Sequence, residues 1–153
     1  MGIEIERKFL VCGDGWRPGP AGVAFRQGYL ASGAGPTVRV RVAPGRAWIC
    51  VKGPAEGIMR PEFEYEVPCA EAEAMLALCP QPPVEKTRYR RKHAGRTWEV
   101  DEFHGANAGL LVAEIELQDI AEQPDLPGWV GADVSADRRY SNAALAQRPF
   151  SQW

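Results

Sequence analysis

The chain has 153 residues and a formal net charge of −2, with 45% hydrophobic and 25% charged residues. This length suits one domain with its own hydrophobic core, and we expect residues 1–153 to form a single domain. The near-neutral charge excludes a general nucleic-acid or membrane binder, and no apolar run approaches the length that crosses a bilayer. No secretory signal follows Met1, which predicts a cytoplasmic protein.

Short segments that alternate apolar and polar residues predict eight β-strands, separated by turns rich in Pro and Gly. Their expected ranges, in chain order, are 3–9, 23–31, 37–42, 48–52, 62–67, 86–90, 97–103 and 111–117. Eight antiparallel strands suit a barrel or a sandwich. Helices are predicted over 70–78, which is rich in strong helix formers, and over 135–147, with Ser135 as N-cap. Both helices are expected to cover apolar surface of the sheet.

The polar positions of these strands are mostly charged, and each strand face carries mainly one sign. Side chains two residues apart in a strand point to the same face. The acidic positions that share a face are Glu4 and Glu6; Glu62, Glu64 and Glu66; Glu99 and Asp101; and Glu114 and Glu116. The basic positions are Arg39 and Arg41, then Lys86, Arg88 and Arg90, with Lys8 beside the first acidic pair and Lys52 alone on its strand.

An ordinary half-exposed sheet, apolar inside and charged outside, is the simplest explanation of such strands. However, like charges on one face repel each other, so sorting by sign costs stability unless a ligand compensates it. Paired carboxylates favour a hard cation such as Mg²⁺ or Mn²⁺, and clustered Arg and Lys favour phosphate oxygens. The pattern therefore predicts a metal-bound polyphosphate inside a barrel whose charged faces point inward.

The ordered charges resemble those of the CYTH domain family, the triphosphate tunnel metalloenzymes. Glu4-x-Glu6-x-Lys8 is similar to the ExExK signature of the family, and the resemblance extends to residues 137–142. It implies an α+β, mainly β fold: a closed eight-stranded antiparallel β-barrel with a charged lumen and flanking helices. The compact length and residues 26–30 look most like the short bacterial branch, in which inorganic triphosphatase activity is usual.

On this resemblance the expected activity is hydrolysis of a small triphosphate, above all inorganic tripolyphosphate to pyrophosphate and phosphate, with Mg²⁺ or Mn²⁺. The expected metal ligands are Glu4, Glu6, Glu62, Glu64, Asp101, Glu114 and Glu116. The residues expected to bind the triphosphate are Arg39, Arg41, Lys52, Lys86, Arg88 and Arg139. Lys8, with Glu4 and Glu6, is expected to act in catalysis, either as a base or by positioning water.

The sequence leaves several alternatives open. A class IV adenylyl cyclase needs a base pocket, for which no motif is visible, and a thiamine or nucleoside triphosphatase would use the same charges. A non-catalytic module for polyphosphate or nucleotides gains nothing from so many acidic groups, and a lipocalin-like carrier requires an apolar lumen. Outward aromatic side chains leave room for a homodimer. Arg60 is expected to end a loop, and Tyr29 and Arg138 have no firm role.

Overall fold

The computed structural model describes residues 2–153, which form an antiparallel sheet closed into a barrel and two helices. The strands are β1 Ile3–Val11, β2 Val23–Ala31, β3 Thr37–Ala43, β4 Arg46–Lys52, β5 Met59–Val67, β6 Val84–His93, β7 Arg96–Phe103, β8 Leu111–Glu116 and β9 Val130–Asp133. The helices are α1 Cys69–Leu78 and α2 Asn142–Gln147, and single 3₁₀ turns span Gly105–Asn107, Arg138–Tyr140 and Phe150–Gln152.

Strand β1 closes the barrel. The order around it is β5, β4, β3, β2, β6, β7, β8 and β1, and β1 pairs again with β5. One edge of β1 meets β5, with Ile3 opposite Pro61, and the other edge meets β8, with Lys8 opposite Glu114. The predicted eight-stranded antiparallel barrel is therefore confirmed. The sequence pattern does not predict β9, which pairs with the last residues of β1, because four residues are too few for a clear alternation.

The helix predicted over 135–147 is wrong in its first half, because α2 begins only at Asn142. Ser135 does not cap a helix; its hydroxyl oxygen accepts a hydrogen bond from the backbone N–H of Lys8 at 2.9 Å. Ser141 is the N-cap, and its hydroxyl accepts a hydrogen bond from the first turn of α2 at 3.2 Å. Hydrogen bonds to β1 compete with helix formation here, so the chain before α2 follows the barrel wall.

Helix α1 covers part of the outer face of the barrel, which confirms the helix predicted over 70–78. Its buried side chains, Ala72 and Leu76, pack on apolar residues of β3 and β4. Elsewhere on the outer face, Trp16 from the β1–β2 connection packs in a cluster with Trp98. Burying these apolar faces under a helix and a loop removes them from water and leaves the alternate, charged faces to the interior.

Helix α2 packs on side chains that face into the barrel at one end. Leu145 and Ala146 lie in one buried cluster with Val84 and Phe103. Val84 shares its strand face with Lys86, so the inner wall is apolar at this end and charged further along. Helix α2 therefore covers apolar surface of the sheet, as expected, but on the inner side of the barrel, unlike α1. Within residues 2–153, no helix is long and apolar enough to cross a membrane.

Candidate active site

Side chains at alternate strand positions line a cavity of about 900 Å³ inside the barrel. The strand register places Glu6 opposite Glu116, and Lys52 opposite Glu62. Because residues opposite each other in a ladder point to the same face, acidic and basic groups converge in the interior. The predicted site residues that line the cavity are Glu4, Glu6, Lys8, Arg39, Arg41, Lys52, Glu62, Glu64, Lys86, Arg88, Glu114 and Glu116.

Lys52 joins two carboxyl groups from different strands. Its Nζ lies 2.8 Å from Glu4 Oε2 and 3.3 Å from Glu62 Oε2. Burial and a hydrogen bond to Glu4 raise the pKa of Glu62 to about 7. Burial also opposes the charge on Glu4, but the hydrogen bond from Glu62 and the charge of Lys52 outweigh it and lower the pKa of Glu4. These two carboxyl groups thus share a proton near neutral pH.

A second carboxyl pair lies between β1 and β8. Burial and the charge of Glu114 raise the pKa of Glu6 well above its usual range. Burial opposes ionisation of Glu114 as well, yet Lys8 at 3.6 Å and Arg88 at 3.4 Å hold its pKa well below the usual range. For Lys8, the charge of Glu114 outweighs burial and raises the pKa. Lys8 is therefore held as a cation, which disfavours its predicted role as a base.

Asp101 lies on the inner face of the barrel but is covered by other side chains, and it holds two of the predicted phosphate-binding cations. It is fully buried, with Lys86 Nζ 2.8 Å from Oδ2 and Arg88 Nε 2.8 Å from Oδ1. Asn142 completes the arrangement, because its Oδ1 accepts a hydrogen bond from Lys86 Nζ at 2.9 Å. Burial lowers the pKa of Lys86 to about 8. With both oxygens committed to cations, Asp101 fits a positioning role better than its predicted role as a metal ligand.

Arg39 and Arg41 extend from β3 and share one carboxylate. Their Nη2 atoms lie 3.1 Å and 3.3 Å from Glu64 Oε2. Burial and the neighbouring Arg39 lower the pKa of Arg41 to about 10. The Nε–H groups of both arginines are buried and have no hydrogen-bond partner among residues 2–153. Two guanidinium groups with unused donors and one shared counter-ion suit an incoming anion.

The carboxyl groups fit a divalent cation, although they are not arranged as a finished site. Among the described residues, no group of three Asp, Glu, His or Cys side chains has the geometry of a preformed metal centre. The carboxyl groups stand in hydrogen-bonded pairs, Glu4 with Glu62 and Glu6 with Glu114, and burial raises the pKa of one member of each pair, Glu62 and Glu6. Paired oxygen donors of this kind suit a hard cation, whose binding displaces protons from its ligands.

Arg139 lies outside the cavity, contrary to its predicted role in substrate binding. Its guanidinium group donates to both oxygens of Asp137, with Nη2 2.7 Å from Oδ2, and stacks over Trp153. The side chain is 60% exposed. The neighbouring Arg138 lines the cavity instead. Because residues 138–140 form an irregular turn, sequence spacing does not predict which arginine faces inward.

Several further cavity-lining residues lack an assigned role in the sequence prediction, among them Tyr29, Arg60, Asn142 and Arg138. Tyr29 shares the inner face of its strand with Gln27, whose Nε2 donates to the Tyr29 hydroxyl at 3.0 Å. Arg60 lies two residues before Glu62 on β5 and points to the same face, so the alternation of the sequence could have placed it in the cavity. Asn142 and Arg138 come from the C-terminal segment, where no periodic signal marks the direction of side chains.

Comparison with known proteins gives consistent matches over nearly the whole chain. The CYTH domain profile matches residues 2–148. An inorganic triphosphatase of Acetivibrio thermocellus is 46% identical over 154 residues, which covers 100% of this chain and 99% of that protein. An inorganic triphosphatase of Nitrosomonas europaea is 36% identical over 152 residues, covering 94% of this chain and 96% of the relative.

A solved structure shares this fold. A crystal structure of an inorganic triphosphatase superimposes with a TM-score of 0.66 at 32% sequence identity. The superposition covers 93% of this chain and 96% of the other. The similarity therefore includes the barrel and most of its connections, and is not confined to the charged strands.

Proposed function

This chain belongs to the CYTH domain family, and we propose that it hydrolyses inorganic tripolyphosphate to pyrophosphate and phosphate with a divalent cation. Two relatives named inorganic triphosphatase match it over more than nine-tenths of its length. We also propose that residues 1–153 form one CYTH domain. The observation that carries the activity is the inner wall of the barrel, where cations and carboxyl groups from different strands converge on one cavity.

The ion pairs of the cavity can be exchanged for a substrate. Without ligand, Arg39 and Arg41 share Glu64, and Lys52 holds Glu4 and Glu62. A triphosphate carries several negative charges and many acceptor oxygens, so it can replace these carboxylates as the partner of the cations. The carboxylates released in this way become available to a metal ion. Substrate and metal binding are therefore expected to support each other.

The residues that would hold the metal ion are Glu4 and Glu6 on β1 together with Glu114 and Glu116 on β8. All four line the cavity and offer oxygen donors, which suit Mg²⁺ and Mn²⁺ alike. Glu116 has no ion-pair partner among residues 2–153, so its oxygens are free for this role. When bound, the cation neutralises charge on the phosphate oxygens. Glu62 and Glu64 would add further carboxylate oxygens near this cation.

The protein's own side chains would orient the triphosphate and stabilise its transition state. Water attacks the terminal phosphorus, the bond from phosphorus to the bridging oxygen breaks, pyrophosphate leaves, and the proton lost by the water passes to solvent. Charge builds up on oxygens of the transferred group and of the leaving group. Arg88 and Lys86, held by Asp101, supply fixed positive charge to these oxygens without reorganisation. Lys8, held as a cation beside Glu114, adds a further donor.

A phosphate-release panel tests this proposal. Purified protein is incubated with tripolyphosphate, thiamine triphosphate, ATP or GTP, each with Mg²⁺, with Mn²⁺ and with EDTA. We expect the highest kcat/KM with tripolyphosphate and no release in EDTA. Cyclic AMP from ATP with Mn²⁺ would instead indicate a cyclase. Saturable binding of tripolyphosphate with no phosphate release under any condition would indicate a binding module and contradict the proposed hydrolysis.

A further inference from the structure

Two cations of the cavity wall differ from all the others. Each of the other six basic residues that line the cavity forms an ion pair with at least one carboxylate: Lys8, Arg39, Arg41, Lys52, Lys86 and Arg88. Arg60 and Arg138 also line the cavity, but neither has a carboxylate partner in the part of the chain that the structure describes. Their positive charge is therefore not neutralised locally.

Arg60 is held in place without using its terminal nitrogens. It lies opposite Glu4 in the β1–β5 ladder and so points to the inner face. Its Nε donates to the backbone carbonyl of Gly53 at 3.2 Å, which fixes the direction of the guanidinium group. No described residue accepts a hydrogen bond from its two Nη atoms. A planar donor group that is fixed at its base and free at its tip is suited to bind a phosphate.

Arg138 faces the same end of the barrel from the C-terminal segment. This end, which we call the loop end, is formed by the β2–β3 connection, the β4–β5 connection and residues 134–141, all of which contribute to the cavity wall. Segment 134–141 is attached to β1, because Val134 N donates to Lys8 O at 2.8 Å. Arg60 stands beside the β4–β5 connection. Arg60 thus reaches the loop end from β5, through its contact with Gly53, and Arg138 reaches it from the turn Arg138–Tyr140.

We propose that Arg60 and Arg138 bind the phosphate group of the substrate that lies nearest the loop end, and so select chains of three phosphates over chains of two. This inference rests on the proposed triphosphatase function. Arg39, Arg41 and Lys52 must exchange carboxylate partners for phosphate, whereas Arg60 and Arg138 have no carboxylate partner to give up. On this assignment, a diphosphate held by the central cations leaves Arg60 and Arg138 unoccupied, whereas the third phosphate of a triphosphate engages them.

The test compares single and double glutamine variants with a matched control. Arg60→Gln, Arg138→Gln and the double variant remove charge at the loop end. Arg46→Gln is the control, because Arg46 is 61% exposed, pairs with Glu66 and begins β4 at the opposite end of the barrel. Arg60→Lys keeps the charge but loses the planar donor group. Far-ultraviolet circular dichroism and thermal unfolding show whether each variant is folded.

For tripolyphosphate we expect KM to rise about 10-fold in each single variant and about 100-fold in the double variant, as for the loss of charge-assisted hydrogen bonds. The value of kcat should change less than about 3-fold, because the cations around the transferred group are intact. The inhibition constant for pyrophosphate should stay within about 2-fold of the wild-type value. Arg60→Lys should recover part of the loss, and Arg46→Gln should match the wild type.

Calorimetric titration of tripolyphosphate into the wild type and Arg60→Gln in EDTA separates this inference from the proposed function. If Arg60→Gln binds tripolyphosphate more weakly but the wild type shows no turnover with any metal, the phosphate site is supported and the proposed enzymatic function is contradicted. Normal turnover with an unchanged KM and unchanged affinity in the folded double variant would keep the function and overturn the inference. Equal losses of tripolyphosphate and pyrophosphate binding would overturn the selection by chain length.

Discussion

The middle of the tunnel and its loop end hold positive charge in two different ways. In the middle, Lys86 and Arg88 are fixed by the buried Asp101, and each further cation has a carboxylate partner. At the loop end, Arg60 and Arg138 have no such partner among residues 2–153. The central cations are therefore set in position before substrate arrives. The positive charges of Arg60 and Arg138 are not neutralised by a carboxylate and can attract an anion from solvent.

This difference separates two tasks that a polyphosphate site must perform. Charges that stabilise a transition state act best when they are fixed in advance, and buried partners supply that rigidity. Charges that attract and select a substrate act best when no internal partner competes for them. The variants below should affect catalysis, stability and binding differently, according to the region and the partner that each one changes.

The largest effect is expected from the carboxylates of β1. Glu4→Gln with Glu6→Gln removes two oxygen anions from the proposed metal site, and phosphate release from tripolyphosphate should fall by about 10³-fold or more. The fold should persist, because both glutamines keep the shape of the side chain and carry hydrogen-bond donors. Glu66→Gln serves as the control, since Glu66 pairs with the exposed Arg46. Full metal-dependent activity in the double variant would remove these residues from the site.

Asp101→Asn should be the most destabilising single change in the middle of the tunnel. The substitution leaves Lys86 and Arg88 without their buried counter-ion, and breaking a buried ion pair in this way costs about 3–5 kcal/mol. Equilibrium unfolding in urea measures the loss in free energy. An unchanged midpoint would show that the two cations find other partners and that Asp101 does not fix them.

Arg39→Ala should weaken substrate binding more than it affects stability. Its guanidinium group shares Glu64 with Arg41, which can retain that partner after the substitution. Losing charge-assisted hydrogen bonds to phosphate should raise the KM for tripolyphosphate by about 10- to 100-fold. Steady-state kinetics gives KM, and urea unfolding gives the accompanying stability. A KM equal to that of the wild type would place the triphosphate away from β3.

The smallest effect is expected from the contact between the C-terminal segment and the central cations. Asn142→Leu removes the acceptor that lies 2.9 Å from Lys86 Nζ but keeps the Asp101 partner. We expect kcat to fall by about 3- to 10-fold, because the variant loses one hydrogen bond from a neutral acceptor that orients the Lys86 ammonium group. Asn142→Asp should restore an acceptor at the same position. If both variants had wild-type kcat, Asn142 would have no role in orienting Lys86.

The charged wall of the barrel follows from sequence because a strand fixes the direction of each side chain. Glu4, Glu6 and Lys8 reach the interior for this reason alone, and the register adds Glu116 from the neighbouring strand. The same parity could have identified Arg60, but the Pro that follows it suggested the end of a loop. The observed strand β5 continues through that Pro at the seam with β1.

The partners of these charges and the C-terminal segment could not be predicted in the same way. Parity places Asp101 on the inner face but does not show that two cations occupy its oxygens. In residues 134–141 no repeat governs side-chain direction, so the sequence does not show that Arg138 lines the cavity and that Arg139 lies outside it. The start of α2 is also set by contacts: Ser135 bonds to β1, and Ser141 caps the helix instead. Such tertiary hydrogen bonds override local helix propensity.

The most direct test of the account is a crystal structure with Mn²⁺ and tripolyphosphate, collected at a wavelength that gives anomalous signal from manganese. We expect an anomalous peak within bonding distance of carboxylate oxygens from both β1 and β8, with phosphate oxygens on Arg39 and Arg88. A peak bound only to surface carboxylates, with the cavity of the barrel free of phosphate, would contradict the assignment of the tunnel as the active site.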